Sequence, residues 1–374
     1  MEILELLKAV FIGFVEGITE WLPVSSTGHM ILVNEFIKLN VQEKFWDMFL
    51  VVIQLGAILA VVILFFHKLN PFSSRKSPDE RRSTFLLWAK VVVACIPAAA
   101  LGILFKSWFQ AHVFNAVTVA CALIFYGVAF IVVERLKARS AANRSITKYE
   151  RRHPQGDNRD KQGRLNKSSE LAQAVTHADH SSNRSRSSYS GGRQGGFRSS
   201  GKDSLWQSNR PRDSHIYTGH GRVDNGVGPD KVTEVERLSF LRAFAIGLFQ
   251  CLAIVPGTSR SGATILGGRI LGVSREAAAE FSFFLAIPVM FGWSALELAQ
   301  AFILEPITLT ATEWGVFAVG FVVAFLVSVV AIKFLMTYIK KHSFEAFGWY
   351  RIVLGVVVLA FFLFTGRLLE ILPG

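Results

Sequence analysis

The stretch EGITEWLPVSSTGH, residues 16–29, decides how the sequence around it folds, because it places polar groups within strongly apolar sequence. Glu16 and Glu20 lie four positions apart, so they fall on one face of a helix. Pro23 should end that helix, because the residue before a proline is biased away from helical conformation. The stretch therefore predicts an interrupted helix followed by a short polar loop.

A second stretch, QCLAIVPGTSRSGAT at residues 250–264, has the same layout far downstream. Apolar residues lead into Pro256, and a loop rich in hydroxyl groups and glycine follows, with one arginine. Polar backbone of this kind is costly at membrane depth unless it lines a cavity. We therefore expect the two loops to meet and form one phosphate-handling site inside a membrane.

The remaining sequence indicates an all-α, polytopic helical membrane protein rather than a soluble domain. Of its 374 residues 51% are hydrophobic and 32 are phenylalanine, and the mean hydropathy is +0.38 although one long segment is polar. Apolar runs of spanning length recur along the chain and predict about six transmembrane helices. The runs are Phe49–Phe66, Phe85–Phe105, Ala116–Val133, Ala277–Leu298, Trp314–Ile332 and Ile352–Phe364.

The two loops are each flanked by apolar segments that are too short to cross a bilayer. Such pairs predict two re-entrant helix-loop-helix hairpins. The segments are Ile3–Val15 and Met30–Ile37 around Pro23, and Phe240–Phe249 and Ile265–Leu271 around Pro256.

Three parts follow from this layout. Residues 1–138 form a first membrane repeat and residues 237–374 a second, each with one hairpin and three spans. Because three is odd, the second repeat enters with opposite topology, which is the inverted-repeat design with a site near the midplane. Residues 139–236 form a polar insert between them. Its composition is too poor in apolar residues to offset the entropy of ordering, so we predict disorder.

The basic residues predict the orientation. The net charge is +12, and the short polar segments on one predicted side carry an excess of lysine and arginine. The positive-inside rule places them, and the insert, in the cytoplasm and both termini outside. The segments are His67–Thr84, Arg135–Arg139, Arg237–Arg242 and Lys333–His342.

The downstream loop has the groups that bind a diphosphate, which needs fixed positive charge and many hydrogen-bond donors. Arg260 can bind phosphate through two parallel hydrogen bonds. A helix that resumes near Ala263 would direct its N-terminus at the anion. Glycines allow close approach of the backbone, and hydroxyl groups add donors. These candidate binding residues are Gly257, Ser259, Ser261, Gly262 and Thr264.

The upstream loop has the candidate reacting groups. Ser25 and Ser26 are candidate nucleophiles, and we favour Ser26 because His29, three residues further on, can act as its general base and then as an acid. Glu16 and Glu20 either orient His29 or hold a divalent cation against the phosphates. Attack by His29 itself, or by water activated through Glu20, stays open.

Together, these two stretches resemble the paired signatures of bacterial undecaprenyl-diphosphate phosphatases of the bacitracin-resistance type. The resemblance extends to Phe281–Pro288 and to Tyr350-Arg351. It implies a plasma-membrane enzyme that hydrolyses undecaprenyl diphosphate to the monophosphate and phosphate, with a site open to the outer face and a divalent cation (Mg²⁺ or Ca²⁺). The implied catalytic residues are Glu16, Glu20, Ser26, His29 and Arg260, with Ser25, Thr27, Ser259 and Thr264 as supporting phosphate contacts.

The same residues argue against one other function and leave two further functions open. A phosphatidic-acid type phosphatase needs a histidine shortly after the arginine, and none occurs between Arg260 and His342. A lipid-phosphate flippase is the main alternative, because inverted repeats around a midplane site are transporter architecture. A weaker alternative is an RNA-associated tether acting through Ser181–Gly201, although no nucleic-acid partner is expected. Formation of a homodimer is left open.

Overall fold

A computed structural model of the chain describes residues 2–112, 116–152, 232–304 and 306–365. Nearly all of this part is helical, and its only strand-like pairing is an isolated parallel bridge between Val232 and Val273. The α-helices are α1 (Glu2–Thr19), α2 (Ser26–Phe36), α3 (Glu43–Leu64), α4 (Phe66–Leu69), α5 (Pro78–His112), α6 (Ala116–Arg152), α7 (Phe240–Cys251), α8 (Arg260–Ile270), α9 (Arg275–Ala299), α10 (Ala311–Lys341) and α11 (Glu345–Phe364).

Two compact units divide the chain. One comprises Met1–Arg144 together with Gly228–Gly374, and the other comprises Ser145–Val227. Of the second unit only the last residues of α6 are described, so the features below belong to the first unit.

Six helices in the described ranges are long and apolar enough to cross a membrane, which confirms the predicted polytopic helical class. The last predicted run, Ile352–Phe364, is shorter than the helix that contains it. Helix α11 already begins at Glu345, and these preceding residues make it long enough to span. The candidate spans are Lys44–Leu64, Pro78–Gly102, Val117–Arg144, Arg275–Leu304, Ala311–Lys341 and Glu345–Phe364.

The helix breaks predicted at the two prolines are present. The first helix of each pair ends before its proline, α1 at Thr19 and α7 at Cys251, and α2 and α8 begin beyond the loops. Helices α2 and α8 have 11 residues each. At about 1.5 Å per residue they are too short for a hydrocarbon core of about 30 Å. Their re-entrant course in the bilayer stays a prediction.

Each hairpin packs against a span of the other half of the sequence. In α1, a Cβ on Gly13 would lie 2.7 Å from the carbonyl oxygen of Gly320 in α10. In α7, a Cβ on Gly247 would collide with the backbone of Ala94 in α5. Helices α5 and α10 are the second spans of the two predicted repeats. Each hairpin therefore packs against the second span of the other repeat. This is the packing expected of an inverted repeat, which itself stays a prediction.

Ion pairs join segments that we predicted to share one side of the membrane. Lys68 Nζ lies 2.9 Å from Glu236 and 2.7 Å from Glu280, which links the loop after α3 to the end of the insert. Arg135 of α6 donates from Nε to Glu345 at 2.7 Å, which links α6 to the start of α11. Two basic segments are therefore tied to acidic residues that lie next to the other two, Glu236 and Glu345, although the side on which they lie stays a prediction.

Ordered structure reaches into both ends of the predicted insert, whose bounds stay a prediction. Helix α6 continues past residue 138 to Arg152, because a helix that has nucleated extends easily through good helix-forming residues. At the other end, Val232 N donates to Gly272 O at 3.2 Å and Ser274 N donates to Val232 O at 2.8 Å. This strand-like contact fixes the chain where it leaves the insert and re-enters the second repeat. The rest of the insert, with Ser181–Gly201, lies outside the described residues.

The close approach of α1 and α10 can be tested at Gly13. The substitution Gly13→Ala should lower the unfolding temperature of the purified protein in detergent, because overpacking costs about 1–3 kcal/mol of unfolding free energy. The matched control is Gly292→Ala, where a Cβ would meet nothing within 4 Å. Equal unfolding temperatures for the two variants would contradict this packing.

Candidate active site

The two loops end in the same strained cap. Ser25 and Ser259 precede α2 and α8 with φ values of 73° and 70°, in the left-handed region that non-glycine residues rarely adopt. Each serine Oγ accepts a hydrogen bond from a glycine N–H three residues on, at 3.3 Å from Gly28 and 3.1 Å from Gly262. Such strain costs on the order of 1–3 kcal/mol per residue and is concentrated at functional sites. The caps fix where both helices begin.

The carboxylate of Glu20 joins the two loops. Ser26, the first residue of α2, donates from Oγ to Glu20 Oε2 at 2.8 Å. Arg260, the first residue of α8, donates from Nη2 to Glu20 Oε1 at 3.2 Å, across 240 positions of sequence. Ser261 Oγ also donates to the Glu20 carbonyl oxygen at 3.1 Å. A hydroxyl, a carboxylate and a guanidinium from both loops therefore meet, as the sequence predicted.

The guanidinium of Arg260 also contacts α9 and the ring of Trp21. Nη1 donates to Ser282 O in α9 at 2.8 Å, and the guanidinium carbon lies 6.0 Å from the centre of the Trp21 ring. Thr264 Oγ1 donates to Arg260 O at 2.8 Å and lies 2.7 Å from Ser282 Oγ. Arg260 Nε is buried and has no hydrogen-bond partner in the described part of the chain. The side chain is therefore positioned before any ligand binds.

His29 makes its hydrogen bonds to residues other than Ser26. Its Nδ1 donates to Ser25 O at 2.7 Å, so in the neutral ring Nε2 accepts from the Tyr350 hydroxyl, also at 2.7 Å. The two rings stack, with centroids 5.6 Å apart. Burial lowers the pKa of His29, against the opposing effect of its hydrogen bond to Ser25. The predicted Ser26–His29 pairing is absent here: both ring nitrogens have other partners, and Ser26 donates to Glu20.

Glu16 is the second carboxyl group of the upstream stretch. It is 1% exposed, and its Oε1 has no hydrogen-bond partner among the described residues. Burial raises the pKa of Glu16 well above its ordinary value, and the neighbouring Glu20 adds to the shift. It does not orient His29, whose nitrogens bind Ser25 and Tyr350. Its unpartnered oxygen can bind a ligand, or a cation that displaces the carboxyl proton.

The predicted binding glycines serve the packing of the loops. Gly257 has a φ of 89°, and a Cβ there would collide with the backbone of Val119. A Cβ on Gly262 would lie 2.9 Å from Nη1 of Arg351. Thr27 is exposed at the first turn of α2. Three hydroxyl groups predicted to contact phosphate make hydrogen bonds within the protein, those of Ser25, Ser259 and Thr264, and their contact with phosphate stays a prediction.

Sequence reasoning gave no role to Tyr350 or Arg351, although both reach the site. Arg351 is fully buried and donates to the carbonyl oxygen of Pro23 at 3.1 Å and to those of Gly257 and Thr258 at 2.8 Å each. The sequence did contain a signal, because an arginine within an apolar span is by default a candidate functional residue.

Comparison with known proteins identifies the family. The profile described as "Bacitracin resistance protein BacA" matches residues 9–155 and 216–357, which include both loops and the Tyr350-Arg351 pair. The chain belongs to the BacA family. The break between the two matches falls within the predicted insert, so the family pattern covers the membrane part and not the centre of the insert.

Relatives of this BacA-family chain match almost its whole length. The undecaprenyl-diphosphatase of Streptococcus thermophilus (strain ATCC BAA-250 / LMG 18311) is 44% identical over 357 residues, 96% of this chain and 93% of that protein. The undecaprenyl-diphosphatase of Enterococcus faecalis (strain ATCC 700802 / V583) is 40% identical over 96% of this chain and 98% of its own length. Undecaprenyl-diphosphatase 1 of Clostridioides difficile (strain 630) is 42% identical, with 96% and 97% covered.

The hydrogen bond between Tyr350 and His29 predicts a pH effect. The tyrosine O–H stabilises the neutral ring by donating to Nε2, so Tyr350→Phe should raise the pKa of His29. If turnover needs neutral His29, the acid limb of the kcat/KM profile should then move to higher pH.

The control for this experiment is Tyr338→Phe, since Tyr338 stacks on His342 at 4.6 Å between ring centroids rather than on His29. Its acid limb should match that of the unsubstituted protein. An acid limb unmoved in Tyr350→Phe would show either that turnover does not need neutral His29 or that Tyr350 does not control its ionisation.

Proposed function

We propose that this protein catalyses the reaction for which its relatives are named, the hydrolysis of undecaprenyl diphosphate to undecaprenyl phosphate and inorganic phosphate. The reaction recycles the carrier lipid for peptidoglycan synthesis and confers resistance to bacitracin. The observation that carries the proposal is the convergence of Ser26, Glu20 and Arg260 at the N-termini of two helices. Helix N-termini and arginine together bind a phosphate anion well.

Ser26 is the nucleophile in this proposal, and Glu20 rather than His29 is its base. Ser26 Oγ attacks the terminal phosphorus while its proton passes to Glu20 Oε2, the acceptor it already contacts at 2.8 Å. The bond from that phosphorus to the bridging oxygen breaks, and undecaprenyl phosphate leaves with the electron pair. The proton held by Glu20 passes to this departing phosphate, which returns Glu20 to the carboxylate. Water then attacks the phosphoserine, Glu20 relays a proton from the water to the serine oxygen, and inorganic phosphate is released.

Arg260 has two successive partners in this scheme. Before substrate binds, it pairs with Glu20 Oε1 at 3.2 Å. A diphosphate competes for the same guanidinium, because arginine binds phosphate oxygens in bidentate fashion. Once Arg260 turns to the phosphate, Glu20 keeps Ser26 as its hydrogen-bond partner. Substrate binding thereby frees one oxygen of Glu20 and leaves the other on the nucleophile.

Glu16 and Glu20 are the residues that would hold a divalent cation, Mg²⁺ or Ca²⁺. The described residues contain no group of three or more histidine, cysteine or acidic side chains placed to bind a metal. Two carboxylates nevertheless fit, because Mg²⁺ commonly binds one or two carboxylates and completes its shell with substrate phosphates and water. The unpartnered Oε1 of Glu16 is the observation that favours this fit. A bound cation would neutralise charge on the phosphate oxygens.

For the setting, we propose the bacterial plasma membrane, with the site open to the outer face and the insert in the cytoplasm. The support is the excess of lysine and arginine in the segments that the ion pairs bring together, such as Arg135 beside Glu345.

The nucleophile is tested by Ser26→Ala in purified protein with a C55 lipid diphosphate. Turnover should fall on the order of 10³-fold or more, as is usual when a nucleophile is removed. The matched control, Ser25→Ala, removes only a helix cap. It should destabilise α2 by roughly 0.5–2 kcal/mol and leave turnover measurable.

Acid quenching of a reaction with labelled substrate should trap phosphate on Ser26. Phosphate trapped on His29, or turnover that survives in Ser26→Ala, would overturn the serine mechanism while leaving a phosphatase. Purified wild-type protein that moves the lipid between leaflets and releases no phosphate would instead establish the flippase alternative.

The cation is tested by chelation. Extensive treatment with EDTA should abolish phosphate release, and returning Mg²⁺ or Ca²⁺ should restore it. Titration calorimetry should also show weaker cation binding in Glu16→Gln than in the unsubstituted protein. Full turnover in EDTA, with no measurable cation binding, would remove the metal from the proposal.

A further inference from the structure

One guanidinium links the two loops through their backbones. Arg351 Nη1 donates to the carbonyl oxygen of Pro23 in the upstream loop. Its Nη2 donates to the carbonyl oxygens of Gly257 and Thr258 in the downstream loop. Each terminal nitrogen therefore serves one loop, and the rigid plane of the guanidinium sets the distance between them.

The surroundings of Arg351 leave it little freedom to move. The side chain is fully buried, and its guanidinium carbon lies 5.8 Å from the centre of the Tyr126 ring in α6. Gly262 lacks the Cβ that would lie 2.9 Å from Nη1. The preceding residue, Tyr350, holds His29. The first turns of α11 thus contact both loops and the histidine.

The charge of Arg351 has no ionic partner in the described part of the chain. Its acceptors are backbone carbonyl oxygens, and Nε has no acceptor. A buried charge without a counter-ion is costly, and a methionine or leucine would pack there without that cost. The planar arrangement of donors on the guanidinium, which reaches both loops, is therefore the reason for an arginine at this position.

We propose that Arg351 is a positioning residue that sets the register of the two loops, so that Ser26 and Arg260 meet the same phosphate group. The inference rests on the function proposed above. Arg351 contacts neither Ser26 nor Arg260 in this arrangement and acts only through the backbone that carries them.

The central variant is Arg351→Lys, which keeps the charge and most of the stem. Lysine has one nitrogen where arginine has a fork, so it cannot hold both loops at the same spacing. A displacement near 1 Å in an active site can lower the rate about 100-fold. We expect kcat to fall by about 10- to 100-fold and KM to change little, since Arg260 and both helix N-termini still offer contacts to phosphate.

Two further measurements separate positioning from general stability. Hydrogen–deuterium exchange should rise in Arg351→Lys within residues 20–29 and 255–262 and stay unchanged in α6 and α11. Added guanidinium, compared with equal sodium chloride, should partly restore turnover of Arg351→Ala. If Arg351→Ala does not fold, Gly262→Ala replaces it, because its new methyl group would push against Nη1 and should give a milder fall in kcat.

The matched control is Arg135→Lys, which alters another arginine at the α6–α11 boundary, where it pairs with Glu345. It should leave both kcat and loop exchange unchanged. Unchanged kcat and loop exchange in Arg351→Lys would overturn the proposal, as would exchange that rises evenly through α6 and α11. If the wild-type protein releases no phosphate, the proposed function fails, and loop exchange alone then decides the role of Arg351.

Discussion

The carboxylate of Glu20 lies between the first residues of two helices, where the exposed N–H groups and the helix dipoles favour negative charge. One of its oxygens accepts from Ser26 and the other from Arg260, so a single side chain joins two loops that are 240 positions apart. Removing either partner of a buried ion pair leaves an uncompensated charge that costs about 3–5 kcal/mol. The contacts of Glu20 therefore stabilise the fold in which the two loops meet, and the proposed hydrolysis uses the same contacts.

Polar backbone in an apolar surrounding must be satisfied by the protein itself, and each loop meets this demand in the same way. Ser25 and Ser259 cap α2 and α8 in a strained conformation, and Arg351 binds loop carbonyl oxygens that have no partner within a helix. Close crossings at Gly13 and Gly247 hold the hairpins against spans of the other half. Rigid packing, strained caps and one buried arginine thus prepare the site before the lipid arrives, which limits what must reorganise during phosphoryl transfer.

Much of this arrangement was predictable from local sequence. The apolar runs predicted six spans, and the prolines predicted both helix breaks. The meeting of the two loops was expected from the cost of polar backbone at membrane depth, although the contacts of Glu20 with Ser26 and Arg260 were not. The structure does not pair Ser26 with His29, because a spacing of three residues ignores competing partners. The Ser25 carbonyl oxygen binds Nδ1, and Tyr350, 321 positions away, binds Nε2. Tertiary partners of this kind leave no local mark. Composition alone also did not show that α6 continues to Arg152, into the predicted insert.

The central claim, that both loops build one site through Glu20, is tested most directly by a double-mutant cycle on kcat/KM. The conservative substitutions Glu20→Asp and Arg260→Lys each weaken the contact while leaving a carboxylate and a cation. Residues in direct contact show coupling energies of about 0.5–3 kcal/mol. A shared site predicts that the double variant loses clearly less than the product of the two single losses. Losses that multiply would show that Glu20 and Arg260 act independently, and would contradict a single site.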